Sequence, residues 1–240
     1  MENLSALVLR KLSEISANGG AENKAPDEKL NIFGMEHPVF LDIPHRELMT
    51  IADEIGMPRH ELALNLWKED SREAKLLSCM FSEPSEITEE QADELAENLG
   101  SWVICQYVCN KLLWKMPFAP RKAIEWADAP QDAKSCAGFT LIAALAANMP
   151  DSRDDAFGFF DNALFQARKG ASRKGNDVRR AVTLALGMIG RRSADWREAA
   201  TETADEIAAQ PCEASRWVAS QSLAELKSTK TAKKSKGSAD

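Results

Sequence analysis

No apolar run in this chain is long enough to cross a bilayer. The longest, Cys136 to Met149, falls well short of the roughly 20 residues a membrane helix needs, and it reads as a central buried helix. The opening MENLSALVLRKLSEI places Glu2 early and Arg10 and Lys11 behind the first apolar positions, the reverse of a secretory leader, which predicts a cytoplasmic protein. Cysteine is sparse and odd in number, five in all, with no CxxC pair. Cys79, Cys105, Cys109, Cys136 and Cys212 sit in apolar patterns and are expected to be free core thiols. Cys105 and Cys109 share helical spacing, but the three histidines (His37, His45, His60) lie far upstream, so no metal site is expected. Phosphate-cradling glycine loops, an HExxH helix and a GxSxG elbow are all missing, which removes the common nucleotide, metal and acyl-transfer chemistries and leaves no cofactor to expect. No segment of four to eight residues alternates cleanly between apolar and polar, so no strand is expected either.

What the chain does have is helical period. Leu4, Leu7, Val8, Leu12 and Ile15 mark a first amphipathic helix, followed by an irregular stretch with Gly19, Gly20 and Pro26. Stripes then recur nearly to the end: Leu48, Ile51, Ala52 and Ile55; Leu62, Ala63, Leu66 and Trp67; Ala74, Leu76, Leu77 and Met80. Thr88 with Gln91 forms a capping box, Gly100 stands where a helix C-cap is wanted, and Ser101 caps the next helix. Further helices are predicted near 131–148, 154–168, 176–190, 194–209 and 213–227. About eleven helices exceed what one bundle core organises. Punctuation at Pro84, Pro117 and Pro150 suggests a repeat, so the predicted fold is all-α, a right-handed α-α superhelix of HEAT-like or armadillo type in a single curved domain. The expected boundaries are 1–28 for the first helix and a flexible linker, 29–227 for the repeats, and 228–240 for a disordered lysine-rich tail. Trp67, Trp114, Trp126 and Trp217 end apolar stripes and are read as packing between repeats.

Charge is distributed unevenly. The overall balance is −7, and residues 1–100 carry 21 acids against nine bases. Residues 167–197 reverse this with nine bases against Asp177 and Asp195, and the tail from Lys227 holds five lysines. An acidic chain that gathers cations in one segment points to a phosphate-backbone contact. The candidates are Arg168, Lys169, Arg173, Lys174, Arg179, Arg180, Arg191 and Arg192.

Several strings, in continuous order over residues 29 to 227, resemble the AlkD-like DNA alkylation repair family of HEAT-like repeat proteins. They are RELMTIADEIG from Arg46, HELALNLWKEDSREAKLLSCMFSEPSEIT from His60, SWVICQYVC from Ser101, LLWKMPFA from Leu112, AIEWA from Ala123, KSCAGFTLIAALA from Lys134, and NDVRRAVTLALGMIGRR from Asn176. The resemblance implies helix pairs forming a concave, positively charged surface for duplex DNA, with excision of N3- or N7-alkylated purines in several members. It also implies a lesion-facing aromatic with an aspartate four residues on, an arginine and a second tryptophan. Trp102 matches the aromatic. The other three positions fall on Gln106, Cys136 and Leu184.

Those departures matter chemically. A carboxylate stabilises the positive charge that builds on the sugar, whereas glutamine can only orient water, and leucine offers no π-face to a cationic base. The expectation is a monomeric protein that binds duplex, possibly alkylated, DNA through Trp102, a half-exposed Gln106 and the arginine segment, with glycosylase chemistry by the known route weakened or absent. Two alternatives stand beside it. One is an active alkylpurine glycosylase with an altered site using Trp102 and Gln106; the other is a HEAT-like scaffold that takes a protein partner.

Overall fold

The computed structural model describes residues 3–18, 28–33, 35–39, 43–56, 59–150 and 156–236. The chain divides into two compact units, Met1–Ala92 with Gln106–Pro117, and Asp93–Cys105 with Phe118–Asp240.

The first unit holds α1 (Leu4–Asn18), the strands β1 (Glu28–Ile32) and β2 (Met35–Val39), then α2 (His45–Ile55), α3 (His60–Trp67) and α4 (Arg72–Phe81). Its core is built where the sequence period placed it: Leu48, Ile51 and Ala52 of α2, and Leu62, Ala63, Leu66 and Trp67 of α3, are buried. The capping box is made in both directions, with the Gln91 backbone N–H donating to Thr88 Oγ1 at 3.2 Å and the Thr88 backbone N–H to Gln91 Oε1 at 2.9 Å.

The two strands correct the strand-free expectation. β1 and β2 pair antiparallel with Ile32 opposite Met35, and Phe33 opens the connection between them. Phe33 takes φ 57, a conformation that costs a side-chain-bearing residue about 1–2 kcal/mol, yet it is buried, and burying a phenyl ring returns roughly as much or more. A phenylalanine at that turn position and Pro38 inside the second strand hide the hairpin from pattern reading.

The second unit holds the rest of the chain. α5 (Glu89–Glu97) and α6 (Trp102–Lys111) are shared across the boundary, contributing Asp93–Glu97 and Trp102–Cys105 here. Then come α7 (Ala119–Ala127), α8 (Asp132–Asn148), α9 (Ala156–Gly170), α10 (Asn176–Gly190), α11 (Ala194–Ala208) and α12 (Glu213–Lys236). α8 is the centre: every residue from Ser135 to Ala146 is buried, as a helix apolar all round requires, and α7 and α10 pack closely against it. Its two buried hydroxyls are satisfied by carbonyls, Ser135 Oγ to Ala127 O at 3.0 Å and Thr140 Oγ1 to Cys136 O at 2.7 Å. α10 packs in turn on α11 and α12.

Helix α12 runs through Lys230, Lys233 and Lys234, where composition suggested an irregular tail. Alanine and lysine are good helix formers, and the first breaker is Gly237, at the edge of the described residues. The linker expected over 17–28 lies mostly outside the described residues. Cys79, Cys105, Cys109 and Cys136 are buried free thiols, as expected, whereas Cys212 is half-buried just before α12. Burial pushes the Cys79 thiol up to about 12 despite Lys115 and Lys111 nearby. Among the described residues no helix is long and apolar enough to cross a membrane, and no group of three ligating side chains could hold a metal ion.

Candidate functional site

Three helix N-termini of the second unit open onto one cleft of about 370 Å³. Gly100, at φ 75, ends the α5 segment, and Ser101 Oγ accepts the Ile104 N–H at 3.3 Å to start α6, which sets half-buried Trp102 in the cleft wall with Cys105 one turn below. Asp132, Ala133 and Cys136 come from the first turns of α8, and Asn176, Asp177 and Val178 from the first turn of α10. Neither Gln131 nor Gly175 supplies a side-chain cap to its helix. The amide ends of α8 and α10 therefore carry partial positive charge into the cleft, while Asp132 and Asp177 counter it. Gly175 lies so close to Asp132 that a Cβ there would come within 2.5 Å of its Oδ2, so a larger residue would turn the Asp132 carboxylate aside.

The rim is made of ion pairs of both signs. Asp132 pairs with Arg173 at 3.1 Å, Asp177 with Arg180 at 3.5 Å, and Glu97 with Lys134 at 3.1 Å. All three carboxylates are more than half exposed, so each pair is worth at most about 1 kcal/mol and exchanges partners readily. At the floor, the Cys136 thiol donates to Asp177 O at 3.6 Å. A hydrogen bond with Cys105 and burial drive its pKa far above the ordinary thiol value, so it is a neutral wall and not a nucleophile.

The predicted site residues separate into those brought together and those that are not. Trp102 and position 136 share the cleft. Gln106 does not line it; it is wholly buried, with neither amide atom hydrogen-bonded, which corrects the half-exposed, DNA-facing role. Positions 102 and 106 are four apart and share a side of α6, but every residue from Ile104 to Cys109 is buried, so the helix is enclosed all round beyond its first turn. Leu184 is core packing in α10.

The arginine segment is less free than its sequence suggests, because neighbouring helices bring acids and carbonyls to it. Arg168 pairs with Glu206 and Lys169 with Asp128. Arg173 also donates to Ala129 O at 2.5 Å and to Pro130 O, fixing the connection between α7 and α8. Arg191 pairs with Glu225 at 3.0 Å. Arg192 donates to Ala146 O at 2.8 Å and Met149 O at 2.9 Å and lies over Phe160, closing the end of α8. These contacts turn Arg173, Arg191 and Arg192 into structural clamps. Lys174 and Arg180 remain exposed, joined by Arg216 of α12, which charge counting along the sequence passed over.

Asp93, also missed, is the hub of this unit. Its carboxylate accepts from Lys122 Nζ at 2.8 Å and Trp126 Nε1 at 2.5 Å and pairs with Lys134 at 3.3 Å. Burial raises its pKa, but these donors outweigh burial and hold it below the usual carboxylate range. The signal lay in the sequence as Lys122 and Trp126, four apart on one face of α7.

A family model described as DNA alkylation repair enzyme matches residues 15–226. Among solved structures, one is described as belonging to a new family of proteins related to the HEAT-like repeat DNA glycosylases with affinity for branched DNA structures. It is 18% identical, with a TM-score of 0.62 over 83% of this chain and 81% of that one. That likeness shows the HEAT-like fold predicted from the sequence. A designed armadillo repeat protein is 16% identical over 94% of this chain and 95% of that one, with a TM-score of 0.41. No curated protein matches the chain significantly.

Proposed function

The chain belongs to the DNA alkylation repair enzyme family, and from that premise we propose that it binds duplex DNA and receives an alkylated base at the Trp102 cleft. The observation that carries this reading is the meeting of Trp102 with the open first turns of α8 and α10 inside a rim of both charge signs. An alkylated nucleotide also carries both signs, an anionic phosphate and a cationic base. Helix N-termini with exposed Arg180 suit the phosphate; the indole face with Asp132 and Asp177 suits the base. The exposed rim pairs can open for such a ligand at little cost.

Excision by the route the family resemblance implies finds no support in the residues, since position 106 holds a buried neutral amide. Lesion recognition without efficient cleavage is therefore the reading we favour. The branched-DNA affinity described for the structurally similar family makes junction DNA a worthwhile second ligand in the same assay.

Salt-dependent binding to duplex DNA tests the proposal. With Lys174, Arg180 and Arg216 as phosphate contacts, log K should fall by about 2.7 per log unit of salt, roughly 0.9 for each contact. Absence of binding at low salt would remove the DNA reading and leave the protein-binding scaffold.

A further inference from the structure

Most large aromatic side chains of the second unit are put away: Trp126, Phe139 and Phe160 are fully buried. Trp217, read from the sequence as packing, instead remains 39% exposed near the start of α12. Arg179 of α10 lies over its ring at 5.3 Å, and the same guanidinium donates to Asn176 Oδ1, whose residue lines the Trp102 cleft. The wall of the cleft thus continues through Asn176 and Arg179 to an open indole. Exposed Lys174, Arg180 and Arg216 lie at or just before the N-terminal ends of α10 and α12, with Arg180 paired to Asp177. The Cys212 thiol, donating to Ser172 O at 3.8 Å, ties the start of α12 to the loop before α10.

We infer that this surface extends the duplex contact to a single strand, in which Trp217 stacks an unpaired base beside the phosphates that Lys174, Arg180 and Arg216 hold. The inference rests on the DNA-binding reading above and adds a strand preference to it. Bases inside a duplex have both faces occupied by their neighbours, so an exposed indole finds a planar partner only in a base that has left the stack. Arg179 holds the indole in place through the cation–π contact and leaves the neighbouring cations for phosphate. The partner is therefore DNA with unpaired bases next to a duplex, and not uninterrupted duplex alone.

The test uses the full chain and two labelled ligands, a blunt duplex and the same duplex with a single-stranded arm. The first unpaired base of the arm is 2-aminopurine. The armed DNA should bind about ten-fold tighter, a gain within what stacking one base on an aromatic ring supplies, and 2-aminopurine emission should fall on binding. Trp217→Ala should remove both effects while leaving blunt-duplex affinity within roughly two-fold; Trp217→Phe should keep most of the gain. An arm that adds no affinity, or a gain and quench that survive in Trp217→Ala, overturns the inference while duplex binding stands. Failure of the wild-type chain to bind either ligand overturns the DNA reading with it. If Trp217→Ala loses its helical circular dichroism, the wild-type emission decides, and an unquenched 2-aminopurine overturns the inference.

Discussion

Replacing Asp93 with alanine is expected to cost the second unit about 3 kcal/mol, the low end of the range for removing one partner of a buried ion pair, because Asp93 is itself 28% exposed. Lys122 is 4% exposed, and without Asp93 its ammonium faces Glu125 at 3.3 Å alone of the two acids it now pairs with, while Trp126 Nε1, in a fully buried ring, loses its acceptor. Chemical denaturation followed by circular dichroism measures the loss. Adding Lys122→Met should recover most of it, because an apolar side chain of similar length no longer needs a counter-charge.

The same cluster sets a pH window. The Asp93 pKa is lowered on folding, so its contribution is fully present above the unfolded carboxylate value and is lost as pH falls through the folded one. Burial lowers the pKa values of Lys122 and Lys134, but their bonds to Asp93, Glu125 and Glu97 raise them more. Their contribution is present below the unfolded lysine value and lost as pH rises through the folded one. The stability difference between wild type and Asp93→Ala should therefore be constant between these limits and should shrink at the acid edge.

Gly138→Ala should be as damaging, by about 3 kcal/mol, and for a different reason. A Cβ at position 138 would lie 2.1 Å from Ala127 N and 2.6 Å from the Trp126 carbonyl carbon. Both are backbone atoms of α7, so no side chain can turn aside and the two helices must part, dragging the Asp93 cluster with them. Alanine normally improves a helix by about 1 kcal/mol over glycine. Gly158 of α9, with nothing within 4 Å of its would-be Cβ, is the matched control: Gly158→Ala should stabilise the protein slightly in the same denaturation experiment.

Much of the helix layout was legible because it rests on local chemistry. The period of α10 and α11, the Thr88–Gln91 box and the Gly100 turn all depend on residues a few positions apart. The apolar run at Cys136 announced α8 as the centre. What stayed hidden depends on partners brought from afar. The arginines of 168–192 are interspersed with few acids along the chain, yet Glu206, Asp128, Asp132 and Glu225 reach them across helices. Gly138 reads as a minor blemish in a helix until α7 is placed against it. The family resemblance singled out Trp102 but not its cleft companions Asp132 and Asp177, since only folding brings the first turns of α6, α8 and α10 together. Gln106 shows the opposite failure, where a position assigned by resemblance is turned into the core.

The central claim is that the Trp102 cleft receives a cationic base. The most direct test compares affinity for a duplex carrying one N7-methylated guanine with affinity for the identical unmodified duplex, for the wild-type chain and Trp102→Ala at one salt concentration. An indole face and two carboxylates predict a preference of about ten-fold for the methylated duplex, or roughly 1.4 kcal/mol, abolished in Trp102→Ala with unmodified-duplex affinity little changed. Equal affinity of the wild-type chain for the two duplexes, or a preference that survives in folded Trp102→Ala, would contradict it.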